Sequence, residues 1–169
     1  METSSLKKNQ PHLESVFGPL SEEDNSKIRT ILDEVDVILL EIARHFGHDR
    51  AGWEGTGLEL NWMQSGQTAI GSNVGASNQK GDCVDFCLEL RPSWYFGEKS
   101  PLLKWEIESA VEADCLHSVD HAHMHTVNEV SVRMDSPIEA ALALLEASRE
   151  LRRLAEVPLE NWLGLASDT

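Results

Sequence analysis

The chain has 169 residues, with 14 basic against 29 acidic side chains, a formal charge of −15 and 41% apolar residues. A chain of this length buries about two thirds of the surface its unfolded form exposes and needs no covalent staples to fold. The charge repels phosphate backbones and anionic headgroups, which argues against nucleic acid and membrane surfaces as partners and for cations, whether metal ions or a basic protein patch.

Residues 1–20 carry two prolines and no hydrophobic period, and read as a mobile tail in which Phe17 and Leu20 are the side chains able to dock. A single domain is expected over 21–165. It opens with a hydroxyl at Ser21 and acids at Glu22, Glu23 and Asp24, the order that caps a helix and suits its positive end. Ile28, Ile31, Leu32, Val35, Ile38, Leu39, Ile42 and Phe46 then recur at spacings of three and four, one apolar stripe that Gly47 can end.

The period then changes to two. Leu58, Leu60 and Trp62 alternate with Glu59, Asn61 and Met63, the pattern of a strand with one buried face. Ser65 to Gly81 is rich in Gly, Ser, Asn and Gln: either a long loop, or a hairpin turning at Ser65-Gly66 into a weak strand through Thr68, Ile70 and Val74. Val84, Phe86, Leu88 and Leu90 mark the next strand, with Pro92 as its expected end. Trp94, Tyr95 and Phe96 would then lie in a connection, as a docking patch or as rings plugging the end of the core. Trp105, Ile107, Val111 and Ala113 define a long strand, and Met124, Val130, Val132 and Met134 another.

Ser136-Pro137-Ile138-Glu139 is a capping box with proline at the first helical position. The helix it opens should run to about Ala155, with Ile138, Leu142, Leu145, Ser148, Leu151 and Leu154 or Ala155 as its stripe and Arg149, Arg152 and Arg153 near its negative end; Pro158 stops it. Helix, strands, helix is an α+β order. We expect a two-layer sandwich, an antiparallel four- or five-stranded sheet with the N-terminal and C-terminal helices on one face, burying Trp62, Phe86, Ile107, Val111, Val130 and Val132. The other face would carry Glu106, Glu108, Glu112, Asp114 and, beyond the next turn, His121, His123 and His125.

Four of the seven histidines crowd into nine positions, His117 to His125, and three of them alternate. On a strand His121, His123 and His125 line one face at roughly 6.6 Å intervals. A two-residue turn at Ser118-Val119 sets Asp114 opposite His123 and Glu112 opposite His125; a four-residue turn sets Asp114 opposite His125. Either pairing gathers imidazoles and a carboxylate able to hold Zn2+ or Ni2+ with a position left for water. Without a metal, the same residues are ordinary cross-strand pairs of a solvated face. Cys115 falls on the buried side in this reading, as an inert thiol.

The three cysteines, Cys83, Cys87 and Cys115, are an odd number, and the first two stand roughly 13 Å apart on a strand, beyond disulfide reach. No apolar run resembles a signal peptide or a membrane span. Free thiols and a cytoplasmic location follow as expectations. There is no G-x-S-x-G elbow, no H-E-x-x-H and no phosphate loop ending in G-K-[ST].

In shape and charge the helix–sheet–helix order is similar to small acidic secretion chaperones and to immunity proteins that neutralise basic toxins, a resemblance that covers no motif and implies a non-enzymatic role. The first expectation is therefore a non-enzymatic, homodimeric protein-binding domain. It would engage a basic protein through Trp94, Tyr95, Phe96, Glu106 and Glu108, with no cofactor. The alternative is a transition-metal-binding protein or metal-dependent hydrolase, with Zn2+ held by His121, His123, His125, Asp114 and Glu112.

Overall fold

The computed structural model describes residues 13–47, 52–62, 70–96, 101–116 and 123–167. Helix α1 (Leu13–Phe17) lies within the stretch expected to be a mobile tail. Its five residues bury Leu13, Val16 and Phe17, and the Trp105 indole N–H donates to the Val16 carbonyl at 2.8 Å. So dense a cluster of apolar side chains gains more from burial than so short a segment loses in freedom. Residues 1–12 lie outside the described set. Gly18, at φ +73°, turns the chain out of α1 while its N–H reaches the Glu14 carbonyl at 2.9 Å.

Helix α2 (Glu22–Gly47) begins where Ser21 Oγ accepts from the Asp24 N–H at 3.1 Å. Its buried side is Ile28, Leu32, Val35, Leu39, Ile42 and Phe46, with Ile31 and Ile38 partly covered. Five strands follow, β1 (Trp53–Trp62), β2 (Ile70–Asn78), β3 (Cys83–Phe96), β4 (Pro101–Asp114) and β5 (Met124–Met134), each antiparallel to the one before, in one sheet ordered as in the sequence. The glycine-rich stretch is thus strand from Ile70 onward. Gly81, at φ +89°, closes the β2–β3 turn, in which Asn78 Oδ1 accepts the N–H groups of Lys80 and Asp82.

Helix α3 (Pro137–Leu154) starts at the capping box read from the sequence, with Ser136 Oγ accepting from the Glu139 N–H at 3.3 Å. A last helix, α4 (Leu159–Ser167), was not expected, although Leu159, Trp162, Leu163 and Ala166 have helical spacing and are all buried. Five strands between α2 and α3 are an odd number, so the two helices run parallel. Arg149 reaches Glu34 at 3.5 Å, Arg152 reaches Glu41 at 3.8 Å, and His45, in the last turn of α2, lies 3.8 Å from Glu156 just past the end of α3. The fold is α+β.

The sheet turns Ile70, Val74, Ala76, Val84, Phe86, Leu88, Leu90, Trp105, Ile107, Val111 and Ala113 toward the helices, all in one core with the buried stripes of α2, α3 and α4. Helix α2 lies over β1 and β2, α3 over β3 and β4, and α4 over β4 and β5.

Three details correct the sequence reading. Val130 and Val132 are 48% and 37% exposed: they share the helix-side face with Ser109 and Ile107, but β5 is the edge strand and the helices stop short of its middle. Leu142 is 46% exposed, because Ala140, Ala141, Leu144, Leu145, Ser148 and Leu151 form the buried stripe. Pro92 does not end β3, which continues to Phe96 paired with β4. Pro92 pairs with Trp105, and the ladder runs on from Ser93↔Lys104 to Phe96↔Pro101, so the antiparallel pairing with β4 carries the strand past the proline. The Trp62 side chain lies outside the described set.

Candidate metal centre

Strands β4 and β5 run in one register from Trp105↔Met134 to Val111↔Asn128, the register of the longer turn considered above. Extrapolated, it would set Asp114 against His125. The pairing slips between Val111 and Glu112: Glu112 meets Thr126, Ala113 meets His125 and Asp114 meets Met124. Val127 is the extra residue, a β-bulge. Because side chains alternate with period two, one inserted residue moves every following side chain to the other face. Glu129, Ser131 and Arg133 therefore lie on the open face, across from Ala110, Glu108 and Glu106, while His125 lies on the helix side with Ala113.

Beyond Asp114 the ladder takes one more step, Cys115 N–H to the His123 carbonyl at 3.2 Å. Cys115, His123 and His125 thus come to the same side of the hairpin end. One ligand atom from each lies within 4.8 Å of the other two, and the two imidazole centroids are 4.7 Å apart at 59°. Cys115 and His125 are half-buried and His123 is exposed. A tetrahedral Zn2+ holds sulfur at about 2.3 Å and nitrogen at about 2.0 Å, which places such ligands about 3.3 to 3.6 Å from one another. Closing from the observed spread takes side-chain rotations of about 1 Å. The hairpin end is tied down by α4: the Leu116 N–H donates to Ser167 Oγ at 3.0 Å, and Ser167 donates to the Leu163 carbonyl at 2.9 Å.

The carboxylates expected in the site are placed elsewhere. Asp114 accepts the Cys83 N–H at 2.7 Å, tying β4 to the start of β3, and Glu112 is paired with Thr126. His121, like His117, lies outside the described residues. Cys115, read as an inert core thiol, is the member of the cluster that sequence reasoning missed; its signal was its place at the mouth of a His-x-His hairpin. The other two cysteines are not part of this cluster. Burial first, then the carboxylates of Glu112, Asp85, Glu108 and Glu89, push the Cys87 thiol from 9.0 up to about 12. Burial, and after it Asp114, Asp85 and Asp82, raise Cys83 as well.

On the open face Glu89 stands directly opposite Glu108, and Arg91 lies between them, 3.4 Å from the first and 2.8 Å from the second. Glu106 has Arg133 at 3.8 Å and Ser131 Oγ at 3.4 Å. The two acids expected to meet a basic partner therefore already have cationic neighbours within the chain. Trp94, Tyr95 and Phe96 are strand positions paired with Leu103, Leu102 and Pro101, not part of a loop; their side chains lie outside the described set. Among the described residues no helix is long and apolar enough to cross a membrane. Comparison with protein-family models, with curated proteins and with solved structures finds no match.

Proposed function

We propose that the protein binds a transition metal, with Zn2+ as the reference ion, through Cys115, His123 and His125. The observation that carries this reading is the convergence of one thiol and two imidazoles, with a ligand atom of each within 4.8 Å of the others. Thiolate and imidazole are the ligands that suit Zn2+, and three protein donors leave a fourth position for water or a ligand from outside. The site would carry a net charge of about +1 when filled with a thiolate and two neutral imidazoles, which suits a chain of formal charge −15. The exposure of His123 favours an exchangeable ion over one sealed in the core. It also favours binding over catalysis, which asks for a concave, water-excluding setting. Elemental analysis of protein purified without a histidine tag should give about one ion per chain after zinc loading and gel filtration, and none for the Cys115→Ser, His125→Ala double variant. Equal metal content in both would end this reading.

The acidic charge favours a second reading, association with a basic protein, with Glu106 and Glu108 on the open sheet face as contacts. Such association should slow as salt rises, because exposed charges are screened beyond about 8 Å at physiological ionic strength. Salt-insensitive capture, or capture unchanged in Glu106→Gln/Glu108→Gln, would remove it.

A further inference from the structure

We infer that the outer edge of β5 pairs with β5 of a second copy across a two-fold axis at Ser131. This interface is separate from the metal site. The sheet has two edges, and they differ. β1 is interrupted by a bulge between Gly55 and Gly57, and a twisted, bulged edge resists addition of another strand. β5 has its own bulge at Val127, but from Asn128 to Met134 it runs without interruption, with no proline and no lysine to block an incoming strand.

Those seven residues are centred on Ser131. Antiparallel pairing about that centre sets Glu129 opposite Arg133 of the second copy, Val130 opposite Val132 and Asn128 opposite Met134, and the axis repeats each pair. Opposite charges meet on one face and valines meet on the other. Any shift by two residues sets Glu129 or Arg133 against an uncharged partner, so the sequence itself favours this register. The same pairing accounts for two apolar side chains left open on the helix side: Val130 and Val132, 48% and 37% exposed, would be covered by the second copy's equivalents. Arg133 keeps its neighbour Glu106 on β4, so an acid flanks it on either side.

The test uses the full chain at low ionic strength. Sedimentation of the unaltered protein should show a reversible dimer. Glu129→Arg sets two arginines opposite each other at both symmetric positions, and Arg133→Glu does the same with acids, so each should weaken the dimer about tenfold or more. The double variant, Glu129→Arg with Arg133→Glu, restores opposite charges in reversed order and should recover the dimer. Ser131→Cys places two thiols at the axis within disulfide reach, and mild oxidation should link the copies through that position in addition to anything the unaltered protein forms. Circular dichroism of each variant confirms the fold, since positions 129, 131 and 133 are all exposed. A monomer at high micromolar concentration, a dimer indifferent to both single reversals, or a double variant that stays dissociated would overturn the inference.

Discussion

His125 stands directly opposite Ala113, on the face that the helices cover, although three pairs earlier Ala110 and Glu129 lie opposite each other on the open face. Odd-numbered residues of β5 change sides at Val127. That single inserted residue moves His123 and His125 away from the acids of the open face and toward Cys115, changing the candidate ligand set from nitrogen and oxygen to nitrogen and sulfur. Val127 is the unpaired residue, so deleting it straightens β5, leaves Ala113↔His125 in place and keeps the histidines beside Cys115. Zinc affinity of Cys115→Ser should fall about tenfold or more, while the Val127 deletion and Glu112→Gln, which alters only an open-face residue, should leave it unchanged. Calorimetric titration of the three variants separates these outcomes; zinc binding lost in Glu112→Gln would return the carboxylate to the site.

The core has a sharp internal control. Ile107 and Leu144 are 1% and 0% exposed, and alanine at either should cost about 2 to 5 kcal/mol by denaturant unfolding. Leu142, on the same helix as Leu144 but 46% exposed, should change stability by no more than about 0.5 kcal/mol. Equal losses at 142 and 144 would mean that α3 packs through a different stripe.

Cys87 gives stability a specific dependence on alkaline pH. Its thiol is raised from 9.0 to about 12, so the folded chain holds that proton more tightly than the unfolded one. The contribution is fully present below pH 9, and it is lost as pH rises from there toward 12. The stability of the unaltered chain relative to Cys87→Ser should decline across that window, and alkylation of Cys87 should still be accelerating at its upper end. A flat difference between the two proteins would contradict the assignment.

Arg91 holds two carboxylates that face each other across the β3–β4 ladder. Arg91→Met should cost about 0.5 to 1 kcal/mol at low salt, since its partners are partly exposed and screened. Adding Glu89→Gln should recover most of that loss by removing the like-charge opposition. Thermal unfolding at low and high salt reads both effects, and a salt-independent loss would point to packing of the arginine stem instead.

The alternations of β3 and β4, the stripe of α2 and the cap at Ser136 were all legible in the sequence, because each rests on a local pattern with a local physical cause. What was not legible depends on relations between distant segments. Pro92 reads as a terminator unless it is known that β4 pairs with β3 on both sides of it, from Val84↔Ala113 to Phe96↔Pro101. Val130 and Val132 look like core until β5 proves to be an edge, and Leu142 outweighs Ala141 in any hydrophobic count although the smaller residue is the buried one. The histidine cluster was visible as a metal-binding composition, but its partner was not. A bulge at Val127 has no strong sequence signature, and without it the alternation assigns Cys115 and His123 to opposite faces. Helix α4 is the plain omission, since its spacing was there to be read after Pro158.

The most direct measurement of the central claim is titration of the unaltered, untagged protein with Co2+, a spectroscopic stand-in for Zn2+, followed by optical absorption. Binding through Cys115, His123 and His125 predicts a thiolate-to-metal charge-transfer band in the near ultraviolet that saturates at about one equivalent, is displaced by Zn2+ and disappears in Cys115→Ser. Co2+ bound without that band, a band that survives in Cys115→Ser, or no binding at all would contradict the account.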